Sequence, residues 1–189
     1  MANIAYTEYY AVGQSDDLLR LKQKMNELST SVDGLNNEEA NSLALLVETA
    51  GGNPSLIECR GFWKPSTIKM ERGVFFFEVE SKWGEPSQWR SFIEEVFHVR
   101  IFYYVEQRGE KIFMTNDVLG RYFPYRFYFD GSADSPYFSS IEELCEEVEA
   151  LTGDLGLQDF DECVLAVSNY MSRSKDESII ISRIDLINK

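Results

Sequence analysis

Residues 74–117 read VFFFEVESKWGEPSQWRSFIEEVFHVRIFYYVEQRGEKIFMTND, and this stretch decides the fold. It opens with an aromatic run that is typical of a strand, and a Trp-Gly-x-Pro turn follows. From Ser87 the apolar residues recur at i, i+3, i+4, i+7 and i+8, which predicts a helix with one face packed on a sheet. Two more strand-like runs, joined around Arg108-Gly109, predict a β-hairpin.

The run Val74–Ser81 alternates between two faces, as the side chains of a strand do. Phe75, Phe77 and Val79 share one face, which is entirely apolar. The opposite face changes from apolar to acidic along its length and carries Val74, Phe76, Glu78 and Glu80. We therefore expect helices to cover the apolar face of a sheet built on this strand.

On the N-terminal side of this stretch, the sequence predicts strands and helices in turn. Ile4–Val12 is strand-like, and Ser15 is a typical N-cap for the helix that follows. A second helix is predicted from Asn37. Leu56–Trp63 then has the pattern of a further strand.

On the C-terminal side, the sequence predicts one more strand and then two helices. The strand is Tyr125–Asp130, and Ser139 and Glu142 have the spacing of a capping box that begins the first helix. Asp159–Glu162 is expected to cap the last helix. Ser178–Ile187 is expected to close the chain as a strand.

This order of elements is that of an α+β protein. We expect an antiparallel sheet with helices packed on one face, in the form of a ferredoxin-like core with insertions. No repeat, low-complexity tract or proline-rich linker interrupts the sequence. A single α+β domain over residues 1–189 is therefore predicted.

The chain is strongly acidic, with 32 Asp and Glu residues against 18 Lys and Arg and a formal charge of −14. A field of this sign repels phosphate backbones and anionic lipids, so we expect neither direct DNA binding nor membrane association. The first residues lack the basic and apolar regions of a signal peptide. Three widely spaced cysteines are typical of a reduced, cytoplasmic protein.

Few residues are suited to catalysis. His98 is the single histidine, so a metal site built on histidines is not expected, and Cys59 would need His98 as its base to act as a nucleophile. We predict a protein without enzymatic activity, catalytic residues, cofactor or metal. An alternative is an enzyme with an acidic divalent-metal pocket, for which Glu78 and Glu80 are the candidates.

Between Arg126 and Arg173 the sequence contains no Lys or Arg. The helix predicted there carries five acids opposite its apolar stripe: Glu142, Glu143, Glu146, Glu147 and Glu149. Like charges spaced i, i+4 cost a few tenths of a kcal/mol per pair, so this face is not tuned for helix stability. A solvated face and a weak Ca²⁺ site are two interpretations of it. The third, a surface that binds a basic protein partner, makes these five residues the predicted binding site.

Tyrosines are frequent between residues 103 and 128 and offer a further alternative. Tyr103, Tyr104, Tyr122, Tyr125 and Tyr128 could form a stacking platform for RNA or a peptide, with help from the nearby Arg100, Arg121 and Arg126. The recognisable RNA-binding signature is missing, and the net charge opposes RNA. Packing within a sheet is therefore the preferred interpretation of these rings.

Two runs carry a resemblance to a known family. The opening residues ANIAYTEYYAVGQSDDLLRLKQKM have the pattern of a strand that ends in a glycine and precedes a helix. The run SKWGEPSQWRSFIEEVFHVRIFYYVEQRGEKIF contains a Trp-x-x-Pro turn at Trp83 and Pro86, and a Glu-x-x-Gly hairpin at Glu106 and Gly109. This order resembles the YubB-like ferredoxin-fold family of phages and plasmids, over about half the chain.

The resemblance implies a ferredoxin-like fold and a mobile-element context. The chain departs from the family pattern at His98, where a proline is expected, and at Thr115-Asn116, where a glycine is expected. That family has no established catalytic residues, so the resemblance assigns none here.

Taken with the charge, these observations predict a binding or accessory protein that acts through an acidic surface on a basic protein partner. An anti-restriction or DNA-mimic role is one form of this prediction. The alternatives are the divalent-metal enzyme and the sheet-face binder of RNA or peptide.

Overall fold

The computed structural model describes residues 3–31, 37–132, 135–174 and 179–188. These residues form a mixed α/β structure with six helices and a multi-strand sheet, which confirms the α+β class. The chain divides into two compact units, unit 1 over Met1–Glu110 and unit 2 over Lys111–Lys189. A single domain over residues 1–189 stays a prediction.

Unit 1 contains a sheet and several helices. Its strands are β1 (Ile4–Val12), β2 (Gly61–Trp63), β3 (Lys69–Glu71), β4 (Val74–Lys82) and β5 (Arg100–Gln107). Its helices are α1 (Ser15–Ser31), α2 (Asn37–Ala40), α3 (Leu43–Thr49) and α4 (Ser87–Phe97).

The strands of unit 1 form an antiparallel sheet in the order β5-β1-β4, with β2 and β3 both paired to the other side of β4. β1 lies between β4 and β5, and Tyr9 is paired with Phe77 on one side and Tyr103 on the other. α1 follows β1, and α4 connects β4 to β5. The predicted helix α4 and the predicted strands before and after it, β4 and β5, are therefore present.

One face of this sheet is buried under helices. Phe75, Phe77 and Val79 are fully buried, as their alternation predicts. The ring of Trp89 on α4 lies 5.9 Å from that of Tyr9 and 6.3 Å from that of Phe77. Aromatic side chains of this size each remove a large apolar area from water, so these contacts hold α4 on the sheet.

A buried polar cluster joins β1 to the turn before α4. The Tyr9 hydroxyl donates a hydrogen bond of 2.9 Å to the carboxylate of Glu85, which also pairs with Arg90 Nε at 3.0 Å. Pro86 is the N-cap of α4, so the predicted helix start at Ser87 is confirmed. The turn itself requires unusual backbone, with φ of 74° at Trp83 and 120° at Gly84.

Unit 2 is built from short strands and two longer helices. Its strands are β6 (Ile112–Thr115), β7 (Phe127–Phe129), β8 (Tyr137–Phe138), β9 (Ile181–Arg183) and β10 (Asp185–Leu186), and its helices are α5 (Ile141–Thr152) and α6 (Phe160–Ser174). β7 pairs antiparallel with β8 and β9, and β10 pairs parallel with β6. A buried apolar core lies between these elements and consists of Phe129, Phe138, Leu144, Cys145, Val148, Cys163, Ala166 and Val167.

The capping box of α5 lies one residue later than the sequence pattern predicts. Ser140, not Ser139, is the N-cap, and its hydroxyl accepts a hydrogen bond of 3.2 Å from the backbone N–H of Glu143. The carboxylate of Glu143, not that of Glu142, reaches back to the backbone of the N-cap. The sequence Ser-Ser-Ile-Glu-Glu satisfies the motif in both registers, so the pattern alone does not choose between them.

Three predicted strands are shorter than expected. Within Tyr125–Asp130, only Phe127–Phe129 forms a strand, β7. Within Leu56–Trp63, only Gly61–Trp63 pairs with β4. Ser178–Ile187 contains two strands rather than one, because β9 pairs with β7 while β10 pairs with β6. Ser178 lies outside the described residues.

Candidate functional site

The five acids of the predicted binding site lie on α5. Glu142, Glu143 and Glu146 are exposed, and Glu147 and Glu149 are half-buried. Hydrogen bonds from the Glu142 backbone and then from the Ser140 hydroxyl lower the pKa of the Glu142 carboxyl, so it is charged at neutral pH. We call these five residues the α5 acidic face.

Several members of the α5 acidic face have a structural role that the sequence does not reveal. Glu143 completes the capping box. Glu147 accepts a hydrogen bond of 3.0 Å from the hydroxyl of Ser132. Glu149 accepts bonds of 2.7 and 2.8 Å from the backbone N–H groups of Gly156 and Leu157, which hold the loop after α5. The high acid content of α5 is therefore partly explained by local structure.

A second concentration of acids lies on the sheet of unit 1, on the face opposite α1 and α4. Glu8 of β1 is paired with Glu78 of β4 and with Tyr104 of β5. Cross-strand neighbours of this kind have Cβ atoms about 5 Å apart. All three residues line a pocket of about 190 Å³, which we call the Glu8 pocket. Its lining consists of Tyr6, Thr7, Glu8, Lys64, Glu78, Val79, Tyr104 and Glu106.

The carboxylates around Glu8 are already matched by cations. Lys64 Nζ lies 2.8 Å from a carboxylate oxygen of Glu80 and 3.8 Å from one of Glu78. It also lies 5.0 Å from the centre of the Tyr6 ring, within the range of a cation–π contact. The pocket thus already holds one ammonium group between carboxylates and an aromatic face.

Glu106 has its own cationic neighbour, because Arg108 Nη2 lies 3.3 Å from its carboxylate. Glu8 differs from these residues. Among the described residues, no group donates a hydrogen bond to the Glu8 carboxylate or forms an ion pair with it. Its carboxyl is half-buried between two other acids.

The pKa of Glu8 is raised, first by burial, then by the charge of Glu78 and then by that of Glu106. Like charges directly opposite each other on neighbouring strands destabilise a sheet. A half-buried acid with a perturbed pKa and no cation is therefore a site at which an added positive charge would be stabilised.

Beyond the Glu8 pocket, the same sheet face becomes aromatic. The Tyr10 and Phe76 rings lie 5.0 Å apart, with Lys69 Nζ 6.0 Å from the Phe76 ring. Arg100 stacks over Phe102 at 4.8 Å. The face therefore presents an acidic pocket beside a half-buried aromatic surface.

The residues considered for catalysis have other surroundings. His98 is exposed and ends α4 in the left-handed conformation, with φ of 55°. Cys59 is nearly buried, and burial raises the pKa of its thiol, which is opposite to the activation that a nucleophile needs. Glu78 and Glu80 hold Lys64 between them. No group of three or more His, Cys, Asp or Glu suited to a metal ion occurs within the described ranges.

Three of the five tyrosines of the predicted stacking platform are buried, and Tyr122 and Tyr125 are half-buried. Tyr103 and Tyr104 are 4% and 3% exposed and lie on opposite faces of β5. Tyr128 is fully buried and stacks on Phe113 at 4.2 Å between ring centres. Packing, the preferred interpretation of these rings, accounts for all three.

Sequence reasoning missed Glu8. The alternation in IAYTEYYAV predicts that Tyr6, Glu8 and Tyr10 share a face, and that signal was available. The register that sets Glu8 opposite Glu78 depends on the pairing of β1 with β4, which are separated by more than 60 residues in the chain.

Comparison of the chain with protein-family models, with curated proteins and with solved structures finds no match in any of the three. The resemblance to the YubB-like family stays a prediction. In the part of the chain that the structure describes, no helix has the length and apolar character needed to cross a membrane.

Proposed function

We propose that this chain is a non-enzymatic binding protein whose Glu8 pocket receives a lysine or arginine side chain of a basic protein partner. The observation that carries the proposal is Glu8 itself. Its carboxyl is half-buried between Glu78 and Glu106 and has no cation among the described residues. A cationic side chain from a partner would remove the repulsion that these three carboxylates impose on one another.

The charge of the whole chain supports a basic protein rather than a nucleic acid as the partner. A formal charge of −14 attracts a basic surface over a distance of about one Debye length and repels a phosphate backbone. The exposed Glu142 and Glu146 contribute to this long-range attraction. Short-range recognition belongs to the Glu8 pocket, where the partner's cation is removed from water.

In particular, we propose an anti-restriction or DNA-mimic role in the cytoplasm, in the context of a mobile element. It requires a DNA-binding protein as the partner, and such proteins carry the clustered Lys and Arg that the Glu8 pocket and the α5 acidic face would attract.

We also infer a ferredoxin-like core for unit 1. The order β1-α1-β2-β4-α4-β5, with an antiparallel sheet ordered β5-β1-β4-β2, supports it. In this interpretation α2, α3 and β3 are the insertions. The helices cover one face and leave the other, which carries the Glu8 pocket, for binding.

The proposal is tested by titrating the whole chain with a fluorescent peptide of alternating lysine and alanine and following the anisotropy. We expect Glu8→Gln to weaken binding by about tenfold or more, because the partner's cation loses its unmatched carboxylate. Glu146→Gln removes the same charge from an exposed position on α5 and is the matched control. We expect it to weaken binding by less than about threefold.

Three outcomes would overturn the proposal. Equal losses for the two variants would assign the binding to overall charge or to the α5 acidic face. Unchanged affinity for Glu8→Gln would exclude the Glu8 pocket. Tighter binding to single-stranded RNA or to DNA than to the peptide, at physiological salt, would favour a nucleic-acid partner.

A further inference from the structure

The core of unit 2 contains two cysteines in direct contact. Cys145 on α5 and Cys163 on α6 lie with their Sγ atoms 3.3 Å apart. Cys163 is fully buried and Cys145 is 6% exposed. Neither cysteine is in a disulfide in this structure. The contact is thus a thiol–thiol contact between two packed helices.

We infer that Cys145 and Cys163 are an oxidation site at which a hydroperoxide converts the two thiols to a disulfide that ties α5 to α6. A disulfide requires an S–S distance of about 2.05 Å, so the two sulfur atoms need to approach by little more than about 1 Å. Rotation of the side chains about their Cα–Cβ bonds supplies a movement of this size. The inference is independent of the function proposed for unit 1.

The pair differs from Cys59 in what surrounds it. Cys59 has as its neighbour the carbonyl oxygen of Pro54, at 3.7 Å from its sulfur. Cys145 and Cys163 have each other, within a core that also contains Leu144 and Val148. The sulfenic acid formed at Cys145 would therefore be in contact with a second thiol of the same chain, so its conversion to a disulfide requires no thiol from solution.

The chemistry proceeds in two balanced steps. In the first step, the sulfur of Cys145, the more exposed of the two cysteines, attacks one oxygen of hydrogen peroxide. An S–O bond forms, the O–O bond breaks, and the second oxygen leaves as water with the thiol proton. In the second, the sulfur of Cys163 attacks that of Cys145; an S–S bond forms, the S–O bond breaks, and a second water leaves. Two thiols are oxidised and one peroxide is reduced.

The surroundings of Cys163 make it the less reactive of the two thiols. Burial, and after it the contact with Cys145, raises the pKa of the Cys163 thiol to about 12, so this residue stays protonated at neutral pH and does not attack peroxide itself. We therefore expect slow oxidation that begins at Cys145.

The consequence for unit 2 is a covalent link between its two helices. The link closes a short loop, the segment between residues 145 and 163, and so restricts the unfolded chain. We expect the oxidised protein to have a Tm higher by several degrees than the reduced protein.

The test uses the full chain in two states, reduced with dithiothreitol or treated with hydrogen peroxide and then freed of it. We expect oxidation to remove two hydrogen atoms from the intact mass, and peptide mapping to find the segments that contain Cys145 and Cys163 joined. Cys59→Ser should retain this product and the rise in Tm. Cys145→Ser and Cys163→Ser should lose both.

The mapping needs no variant, so it decides the inference even where a substitution in the core impairs folding. A disulfide that involves Cys59, a cross-link between two chains, sulfinic or sulfonic acid at Cys145, or free thiols at both positions after Cys59 has been oxidised would each overturn it.

Discussion

Glu8 lies on the central strand of the unit 1 sheet, between two strands that each add a further carboxylate. Its partners across the sheet are Glu78 and Tyr104, and Glu106 lies two residues beyond Tyr104 on β5. A sequence selected only for stability would place a neutral or basic residue at such a position. The cost of keeping an acid there supports the binding role that we propose for Glu8.

This cost should appear as a pH dependence of stability. The folded-state pKa of Glu8 is raised above its unfolded value, so the folded state binds more protons and the free energy of unfolding falls as pH rises through the interval between the two values. Glu8→Gln should therefore raise the free energy of unfolding at pH 7 by about 0.5–1 kcal/mol. The gain should vanish below the unfolded pKa, where Glu8 is protonated in both states.

Urea unfolding of the wild type and of Glu8→Gln, at pH 7 and below pH 4, measures this difference. Glu146→Gln is again the control, because its carboxyl is exposed. The pKa of Glu85 is also raised by burial, and its contribution cancels between wild type and variant. A loss of stability in Glu8→Gln at pH 7 would mean that Glu8 makes a favourable contact and would contradict its role as an unmatched charge.

At the scale of single elements, α5 is the case in which local sequence signals compete. Both Ser139-x-x-Glu142 and Ser140-x-x-Glu143 fit the capping-box motif. In the structure Ser140 is the cap, and Leu144, Cys145 and Val148 then point into the core of unit 2. The local motif alone therefore does not select the register.

Two alanine substitutions test this register. Ser140→Ala removes the side chain that accepts the N–H of Glu143 and should lower the free energy of unfolding by about 1 kcal/mol. Ser139→Ala should have little effect, because Ser139 contributes its backbone N–H to Glu143 and alanine retains that group. Thermal unfolding of both variants measures the difference. A larger loss of stability in Ser139→Ala than in Ser140→Ala would identify Ser139 as the N-cap.

At the scale of the whole molecule, charge is the dominant property. A formal charge of −14 is spread over 189 residues, and the described ion pairs neutralise only part of it. Self-repulsion of this kind destabilises the compact state, and salt screens it. Increasing NaCl from about 20 to about 200 mM should therefore raise Tm by a few degrees.

Differential scanning calorimetry at the two salt concentrations measures this effect, with an equivalent osmolality of an uncharged solute as the control. A constant or falling Tm would indicate that the acids are individually matched in the folded state. The same measurement made on Glu8→Gln should give a slightly smaller increase, because one of the repelling charges is gone.

How much of this molecule the sequence predicts depends on the distance over which each signal acts. The faces of β4 follow from alternation within a few residues, and the start of α4 follows from Pro86 and the apolar period after it. The split of the last strand into β9 and β10 depends instead on which strands they meet. The same holds for the Glu8 pocket, since no local pattern states that Glu8 faces Glu78.

The distribution of indole side chains between the units has a practical consequence. The chain contains three tryptophans, Trp63, Trp83 and Trp89, and all of them belong to unit 1. Trp63 and Trp89 are fully buried, whereas Trp83 is 60% exposed in its left-handed turn. Intrinsic tryptophan fluorescence therefore reports on unit 1 alone, and only the emission of Trp83 is open to a quencher in solution. Comparison of the tryptophan emission with the far-UV circular dichroism, to which the helices of both units contribute, would reveal whether the two units unfold together.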